Sequence, residues 1–109
     1  MIRPVSNRVQ MFRVRRPYFD EILSGSKVME LRRASPFWRV RLLERRPGIA
    51  VFYCGKRRYK CRITGFMEFA TAEEALHRPL SEQGMMDVGD GPVIAVYLGR
   101  SLALSTLEA

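Results

Sequence analysis

Three charged residues, Lys27, Glu30 and Arg32, lie close together where a short helix is expected to give way to a strand. Charged side chains are costly to desolvate, so such a group is generally ion-paired, functional or both. A carboxylate here could act as a general base, an ammonium could polarise an amide or phosphoryl oxygen, and a guanidinium could stabilise developing negative charge. The alternative is that the three groups only neutralise one another in a structural cluster.

The helix that precedes this group is expected at residues 17–24. Phe19, Ile22 and Leu23 follow helical spacing and form one apolar face. Gly25 comes directly after them and is well suited to end the helix in a left-handed conformation. The chain is therefore expected to turn at this glycine and to enter a strand almost at once.

That strand is expected at residues 28–33. Because side chains alternate along a strand, Met29 and Leu31 share one face, and Glu30 and Arg32 share the other. We expect the apolar pair to face the core and the charged pair to face a groove or solvent. The lysine before them is expected in the turn, with its long side chain reaching toward the carboxylate.

The remaining elements are short. Further strands are expected at residues 9–14, 49–54, 59–69 and 93–98, and a second helix is expected at residues 72–77. That helix begins with a capping box of Thr71 and Glu74. Residues 36–43 fit either a strand or a helical turn, residues 84–91 are expected to form a loop, and Gly65 is expected at a bulge.

Five to six short strands and two short helices predict a mainly β (α+β) fold, built as a small β-barrel. The chain of 109 residues is long enough for one domain with one modest core, so residues 1–109 are expected to form a single domain. The tail, residues 101–109, is expected to be a further strand, a docked segment or a loosely ordered end.

The charge is strongly basic and unevenly distributed. Residues 1–62 hold 17 Lys and Arg against 4 Asp and Glu, whereas residues 63–109 hold 2 against 7. Of the 19 basic residues 16 are Arg, whose planar guanidinium binds phosphate in a bidentate way and stacks on bases. Codon bias could explain the preference for Arg, but it cannot explain why the positive charge lies in one half. This pattern favours contact with nucleic acid.

The basic residues expected to contact RNA phosphates form an Arg-rich face, with the hairpin near residues 55–58 as its tip. They are Arg15, Arg16, Arg33, Arg39, Arg41, Arg45, Arg46, Lys56, Arg57, Arg58, Lys60 and Arg62. Tyr53 and Tyr59 lie among them and could stack on unpaired bases, whereas Trp38 is expected to be buried.

Several classes of function are disfavoured. No apolar run approaches the roughly 20 residues that a membrane span needs, and the N-terminus lacks the apolar centre of a signal peptide. Cys54, Cys61 and His77 are too few and too scattered for a zinc site. We therefore expect a cytoplasmic protein with reduced thiols, no metal, no other cofactor and no membrane partner. The oligomeric state is not determined by the sequence.

Residues 22–32, Ile-Leu-Ser-Gly-Ser-Lys-Val-Met-Glu-Leu-Arg, resemble the G-x-K-x-x-E-x-R element of the ASCH domain, a branch of the PUA-like superfamily of small β-barrels. The resemblance implies an RNA-binding PUA-like barrel, with Lys27, Glu30 and Arg32 lining a cleft beside the first helix. Some members are hydrolases, namely an acetylcytidine amidohydrolase and ribonucleases. The amidohydrolase branch has Thr where this chain has Glu30, so its proposed nucleophile is absent here.

The function we predict is RNA binding, with phosphates on the Arg-rich face and a nucleotide or small group in the Lys/Glu/Arg cleft. The alternative is a hydrolase acting on a modified nucleoside or on RNA, in which Lys27, Glu30 and Arg32 would be the catalytic residues. A third possibility is an interaction module that binds an acidic protein.

Overall fold

Five strands form one mixed sheet in the computed structural model, which describes residues 6–102. The strands are β1 (Val9–Arg13), β2 (Met29–Arg33), β3 (Ile49–Cys54), β4 (Arg57–Phe69) and β5 (Val93–Ser101). Their order is β1-β3-β4-β5-β2, and all neighbours are antiparallel except β1 and β3. The sheet curls into a half-barrel, so the predicted mainly β (α+β) class and the predicted number of strands are confirmed.

Short helices connect the strands. They are α1 (Arg16–Ser24), α2 (Pro36–Trp38), which continues as a π-helical segment over Arg39–Glu44, α3 (Ala72–Leu76) and α4 (Glu82–Val88). The two predicted helices are present as α1 and α3, and the undecided residues 36–43 are helical. The loop predicted at residues 84–91 is wrong in its first half, because the Ser81 hydroxyl accepts a hydrogen bond from the Gly84 N–H at 3.0 Å and caps α4. Glycine is unfavourable in a helix, so a helix of seven residues that contains Gly84 is hard to predict from its sequence.

The turn between α1 and β2 is held by its own hydrogen bonds. Gly25 adopts a left-handed conformation with φ of 82°, which ends the helix as predicted. The main-chain carbonyl of Glu21 accepts hydrogen bonds from the Lys27 N–H at 3.1 Å and from the hydroxyls of Ser24 and Ser26. These bonds fix the path of the chain into β2 and thereby position the lysine side chain.

The main core fills the concave side of the sheet. Phe12 on β1 is fully buried and stacks on Phe52 of β3, with ring centroids 5.2 Å apart. The half-buried Trp38 stacks on the other side of Phe12 at 5.6 Å, so its expected burial is only partial. Phe19 of α1 belongs to the same core, and helix and barrel are therefore packed together.

A second, smaller cluster lies on the convex side of the sheet beneath α3 and α4. Met29 and Leu31 pack there against Val93 and the two helices. The other face of β2 points into the barrel, and Glu30 is only 4% exposed. The predicted apolar pair thus packs in this second cluster, whereas the charged pair lies on the face of β2 that carries the main core, where it lines a groove as predicted. Alternation shows which side chains share a face but not which face curls inward.

Two further details concern β4 and its neighbours. The pairing of β4 with β5 is irregular on both sides of Ile63, and the second irregularity ends at Gly65, where a bulge was predicted. The turn between β3 and β4 consists of Gly55 and Lys56 only, since Cys54 pairs with Arg57.

Of the predicted tail, Ser101 ends β5 and residues 103–109 lie outside the described residues. Within residues 6–102 no helix is both long enough and apolar enough to cross a bilayer.

Candidate functional site

Glu30 lies between two cations at the open edge of the barrel. The Lys27 ammonium is 2.7 Å from its Oε1, and Nη2 of Arg32 is 2.7 Å from its Oε2. The Arg32 Nε–H also donates to Oε2 at 2.9 Å. The three residues singled out in the sequence thus converge on one carboxylate, which is buried while the two cations are each about one-fifth exposed.

Lys27 occupies the side of this group that faces the cleft. Its Nζ lies 4.6 Å from the centroid of the Tyr18 ring, a cation–π contact that helps to orient the ammonium. Its contact with Glu30 is an ion pair without hydrogen-bond geometry, so the buried Oε1 accepts no hydrogen bond within the described chain. Because Oε1 has no exposed surface, the ammonium is the member of this pair that a bound group can reach.

Arg32 has a structural role as well. Its guanidinium lies 5.2 Å from the ring centroid of Phe12 and 5.1 Å from that of Trp38. Its Nη2 also donates to the main-chain carbonyl of Arg13 at 2.9 Å. Arg32 therefore connects the buried carboxylate, two core aromatic rings and the far edge of the sheet.

These groups line a cleft of about 1300 Å³ between α1, β2 and the segment that leads into α4. Its basic lining residues are Arg13, Arg15, Arg16, Lys27, Arg32, Arg33 and Arg78. Its acidic lining residues are Glu21, Glu30 and Asp87. Two aromatic side chains, Tyr18 and Trp38, also line it. The cleft is therefore a concave site with excess positive charge and apolar ring surfaces.

The cleft arginines differ in how far they are engaged. Arg15 is ion-paired with Asp87 at 3.2 Å, and Arg33 donates to the main-chain carbonyl of Met86 at 3.2 Å. Arg16 and Arg78 form no ion pair with any residue in 6–102. These two side chains are exposed, and their charges are free to meet an anionic ligand.

Tyr18 can act as a hydrogen-bond donor in the cleft. Burial raises the pKa of its hydroxyl above the ordinary value of 10.0, and the nearby carboxylates of Asp87 and Glu21 raise it further. The Arg15 guanidinium opposes these effects. The phenol therefore keeps its proton at neutral pH.

The twelve basic residues predicted to contact RNA are not all brought together. Only Arg15, Arg16 and Arg33 line the cleft. Arg39 is ion-paired with Glu68 at 2.7 Å, and Arg57 with Asp20 at 3.1 Å. The others lie elsewhere on the surface: Arg41, Arg45, Arg46, Lys56, Arg58, Lys60 and Arg62.

Three of those outlying arginines stack on aromatic rings. Arg41 lies 3.7 Å from the Phe37 ring centroid, Arg46 lies 5.3 Å from that of Phe66, and Arg58 lies 5.1 Å from that of Tyr53. Such contacts hold the guanidinium planes against the surface and leave their outer faces open.

Sequence reasoning missed two cleft arginines. Arg78 belongs to the acidic half of the chain, so a count of charge along the sequence hides it. Arg13 ends β1, and the only available signal was its position just before the Arg15-Arg16 pair. Within the described chain no cluster of His, Cys, Asp or Glu could hold a metal ion.

Comparison with known proteins shows a similarity of structure and none of sequence. No protein-family model matches the chain, and no curated protein matches it by sequence. The crystal structure of a mutant of ZmASCH from Zymomonas mobilis superimposes with a TM-score of 0.59 at 16% sequence identity, covering 96% of this chain and 80% of that one. Similarity at this level of identity concerns the fold, and it agrees with the motif at residues 22–32. The chain therefore shares its fold, a five-stranded half-barrel with short helices, with that ZmASCH protein.

Proposed function

We propose that this protein is an RNA-binding domain whose cleft receives a nucleotide or a small group on RNA. The observation that carries the proposal is the composition of the cleft, where seven basic side chains face three acidic ones beside two aromatic rings. A nucleotide combines a negative phosphate with a flat ring, and single-stranded RNA is generally recognised through such phosphate and stacking contacts.

Each part of a nucleotide has a counterpart in the cleft. Arg16 and Arg78 are free of ion pairs within residues 6–102 and can bind phosphate oxygens. The Tyr18 ring can stack on a base, or its protonated hydroxyl can donate to one. The Lys27 ammonium, held by the buried carboxylate of Glu30 and about one-fifth exposed, can donate to the polar edge of a base.

The first test is salt-dependent binding of a fluorescent single-stranded RNA of about 12 nucleotides, measured by fluorescence anisotropy. If four to six phosphates are engaged, log affinity should fall against log salt with a slope of roughly −3 to −4. A wild-type protein that binds no RNA, or binds it independently of salt, would contradict the proposal.

A second test asks whether the cleft is the site. The double variant Arg16→Gln with Arg78→Gln removes two free cleft charges, so we expect an affinity loss of roughly tenfold and a slope smaller by about 1.4. Arg46→Gln is the control, because that guanidinium lies over Phe66 and does not line the cleft. If Arg46→Gln weakened binding as much per charge removed as the double variant does, the RNA would be held by non-specific electrostatic attraction and the cleft would not be the site.

Hydrolysis is the second candidate function, favoured by one observation. The buried Oε1 of Glu30 accepts no hydrogen bond within the described chain and lies 2.7 Å from an ammonium that lines the cleft. A rotation of the Glu30 side chain toward the cleft would let its carboxylate orient water while Lys27 polarises an amide or phosphoryl oxygen. Incubation with acetylated cytidine and with labelled RNA tests it: product that disappears in Glu30→Gln and Lys27→Ala supports hydrolysis, and no product from wild type opposes it.

A further inference from the structure

We propose that the convex face of β1, β3 and the first half of β4 binds the RNA strand where it leaves the cleft. This inference deepens the proposed RNA-binding function and rests on it. The cleft accounts for one nucleotide or small group, whereas the convex face would hold the phosphates that follow.

Three rows of cross-strand neighbours build this face. From the pairing of the strands they are Val9–Ile49–Arg62, Met11–Val51–Lys60 and Arg13–Tyr53–Arg58. The residues that alternate with them, among them Phe12, Phe52 and Cys61, are buried in the core. The three rows therefore lie on the outside of the half-barrel, and we call them the outer face.

The outer face differs from the rest of the convex side in what covers it. Helices α3 and α4 pack over the part formed by β2 and β5, where the second apolar cluster lies. On the outer face, by contrast, Val9 is 52% exposed and Met11 is 45% exposed. The outer face is therefore open to solvent and not covered by a helix.

The charge of the outer face suits a polyanion. Its nine positions include four cations, namely Arg13, Arg58, Lys60 and Arg62, and no acidic residue. The last three alternate along β4 at intervals of roughly 6–7 Å. They form a line of positive charge rather than a patch, which fits an extended anionic chain better than a compact anion or a flat lipid surface.

An aromatic ring lies within the row nearest the cleft. The Arg58 guanidinium lies 5.1 Å from the centroid of the half-buried Tyr53 ring. Its Nη1 donates to the main-chain carbonyls of Gly55 and Arg57 at 2.8 and 3.0 Å, which fixes the group and leaves Nη2 for phosphate. A guanidinium fixed in this way can also stack on an unpaired base. This row therefore offers both kinds of contact that single-stranded RNA needs.

The outer face is continuous with the cleft through Arg13. This residue lines the cleft and also begins the row completed by Tyr53 and Arg58. Cys54 and Gly55, which follow Tyr53, line the cleft as well. A strand anchored in the cleft can thus pass over Arg13 onto the outer face, whose nine positions include no acidic residue.

A shallow hollow of about 440 Å³ lies at the opposite end of β1. Arg8, Arg41 and Arg45 line it together with Val9, which begins the row farthest from the cleft. Arg8 is fixed there by a hydrogen bond from its Nη1 to the main-chain carbonyl of Arg45 at 3.2 Å. Positively charged side chains therefore extend from the cleft across the three rows of the outer face to this hollow.

Binding of two ligands separates the outer face from the cleft. A nucleoside monophosphate fits within the cleft alone, whereas RNA of about 12 nucleotides reaches the outer face. For Arg58→Gln with Lys60→Gln we expect roughly tenfold weaker binding of the RNA and a salt slope smaller by about 1.4. Binding of the nucleoside monophosphate should stay within about twofold of wild type. Arg46→Gln, at a guanidinium that lies over Phe66 outside both sites, should affect neither.

A second measurement needs no variant. RNA of about 12 nucleotides carrying a photoreactive 4-thiouracil at successive positions is irradiated with the wild-type protein, and the crosslinked peptides are identified. Crosslinks from one end of the RNA should fall in β4 between Arg57 and Arg62, and those from the other end in α1 or β2.

The outcomes distinguish this inference from the function it rests on. If wild type binds no RNA, both fall. If wild type binds the RNA but the double variant binds it equally well, or crosslinks are confined to the cleft, the outer-face inference alone is overturned. If the double variant instead loses binding to phosphatidylserine vesicles while RNA binding is intact, the outer face is a lipid contact and the inference is also overturned.

Discussion

The guanidinium of Arg32 donates a hydrogen bond to the main-chain carbonyl of Arg13 at 2.9 Å and so joins the two edges of the sheet. Arg13 belongs to β1 and Arg32 to β2, which are the first and the last strand in the sheet order. The same guanidinium is ion-paired with the buried Glu30. The charged group that lines the cleft therefore also closes the half-barrel, and binding and stability depend on the same side chain.

Replacing Arg32 should destabilise the fold strongly. Arg32→Ala removes the ion pair to Glu30, the hydrogen bond to Arg13 and the contacts with Phe12 and Trp38. It leaves a buried carboxylate with Lys27 as its remaining partner, so we expect the free energy of unfolding to fall by about 3 kcal/mol. Urea unfolding followed by fluorescence of Trp38, the only tryptophan, measures this loss.

The neighbouring arginine on the same strand is the matched control. Arg33 is exposed, and its guanidinium donates a hydrogen bond to the Met86 carbonyl at 3.2 Å. Arg33→Ala should therefore cost no more than about 1 kcal/mol. Equal losses for the two variants would show that Arg32 does not close the half-barrel.

The sequence sufficed to predict the local geometry of the charged group. Helical spacing up to Leu23 and the glycine at 25 predicted α1 and its end, and the alternation after them predicted β2. Once those two elements are correct, Lys27, Glu30 and Arg32 must lie close together. Local patterns of this kind depend only on residues near one another in the chain.

The sequence could not show how the sheet curls. Burial of Glu30 on the concave side depends on pairing with Val96 of β5, a residue far away in the chain. Arg78 reaches the cleft only because the segment between α3 and α4 folds back over β2. Such relationships depend on long-range pairing, which residue periodicity does not encode.

Gly48, which directly precedes β3, should not be replaceable by a residue with a side chain without loss of stability. A Cβ at this position would collide with the main-chain carbonyl of Ser6, and the Gly48 N–H donates to the Arg8 carbonyl at 3.0 Å. Because main-chain atoms cannot rotate away as a side chain can, Gly48→Ala should destabilise by about 2 kcal/mol, measured by urea unfolding.

The control for that prediction is Gly65, in the irregular part of β4. A Cβ there meets no atom within 4 Å in the described chain, so Gly65→Ala should change the free energy of unfolding by less than about 1 kcal/mol in either direction. A larger loss for Gly65→Ala than for Gly48→Ala would contradict the arrangement at both sites.

Stability should fall at alkaline pH because of Cys61. Burial raises the pKa of this thiol from 9.0 to about 11, so the folded protein keeps the proton that the unfolded chain releases first. The stabilisation is fully present below about pH 9 and is lost as pH rises toward about 11, a change on the order of 2–3 kcal/mol. Urea midpoints measured across this range should fall less steeply for Cys61→Ala than for wild type.

Cys54 supplies the comparison for the burial of Cys61. It is half-buried, whereas Cys61 is fully buried in the core. In the native protein a thiol reagent at about pH 8 should modify Cys54 first and reach Cys61 only after unfolding. Equal rates for the two thiols would show that Cys61 is not shielded.

Replacing Glu30 should change stability and ligand binding in opposite directions. Glu30→Gln removes the charge that neutralises Lys27 and Arg32, and the two cations then repel each other. We expect a loss of about 2–3 kcal/mol in the free energy of unfolding. The same change exposes positive charge to the cleft, so affinity for a nucleoside monophosphate should rise roughly three- to fivefold. Urea unfolding and calorimetric titration measure the two effects.

Glu21→Gln is the matched control, since it makes the same chemical change in the same cleft at an exposed residue. It should change the free energy of unfolding by no more than about 0.5 kcal/mol and tighten binding less than Glu30→Gln does. Weaker binding in Glu30→Gln would contradict the assignment of its carboxylate as the neutralising partner of the two cations. It would instead mean that Glu30 itself contacts the ligand, which the hydrolytic alternative requires.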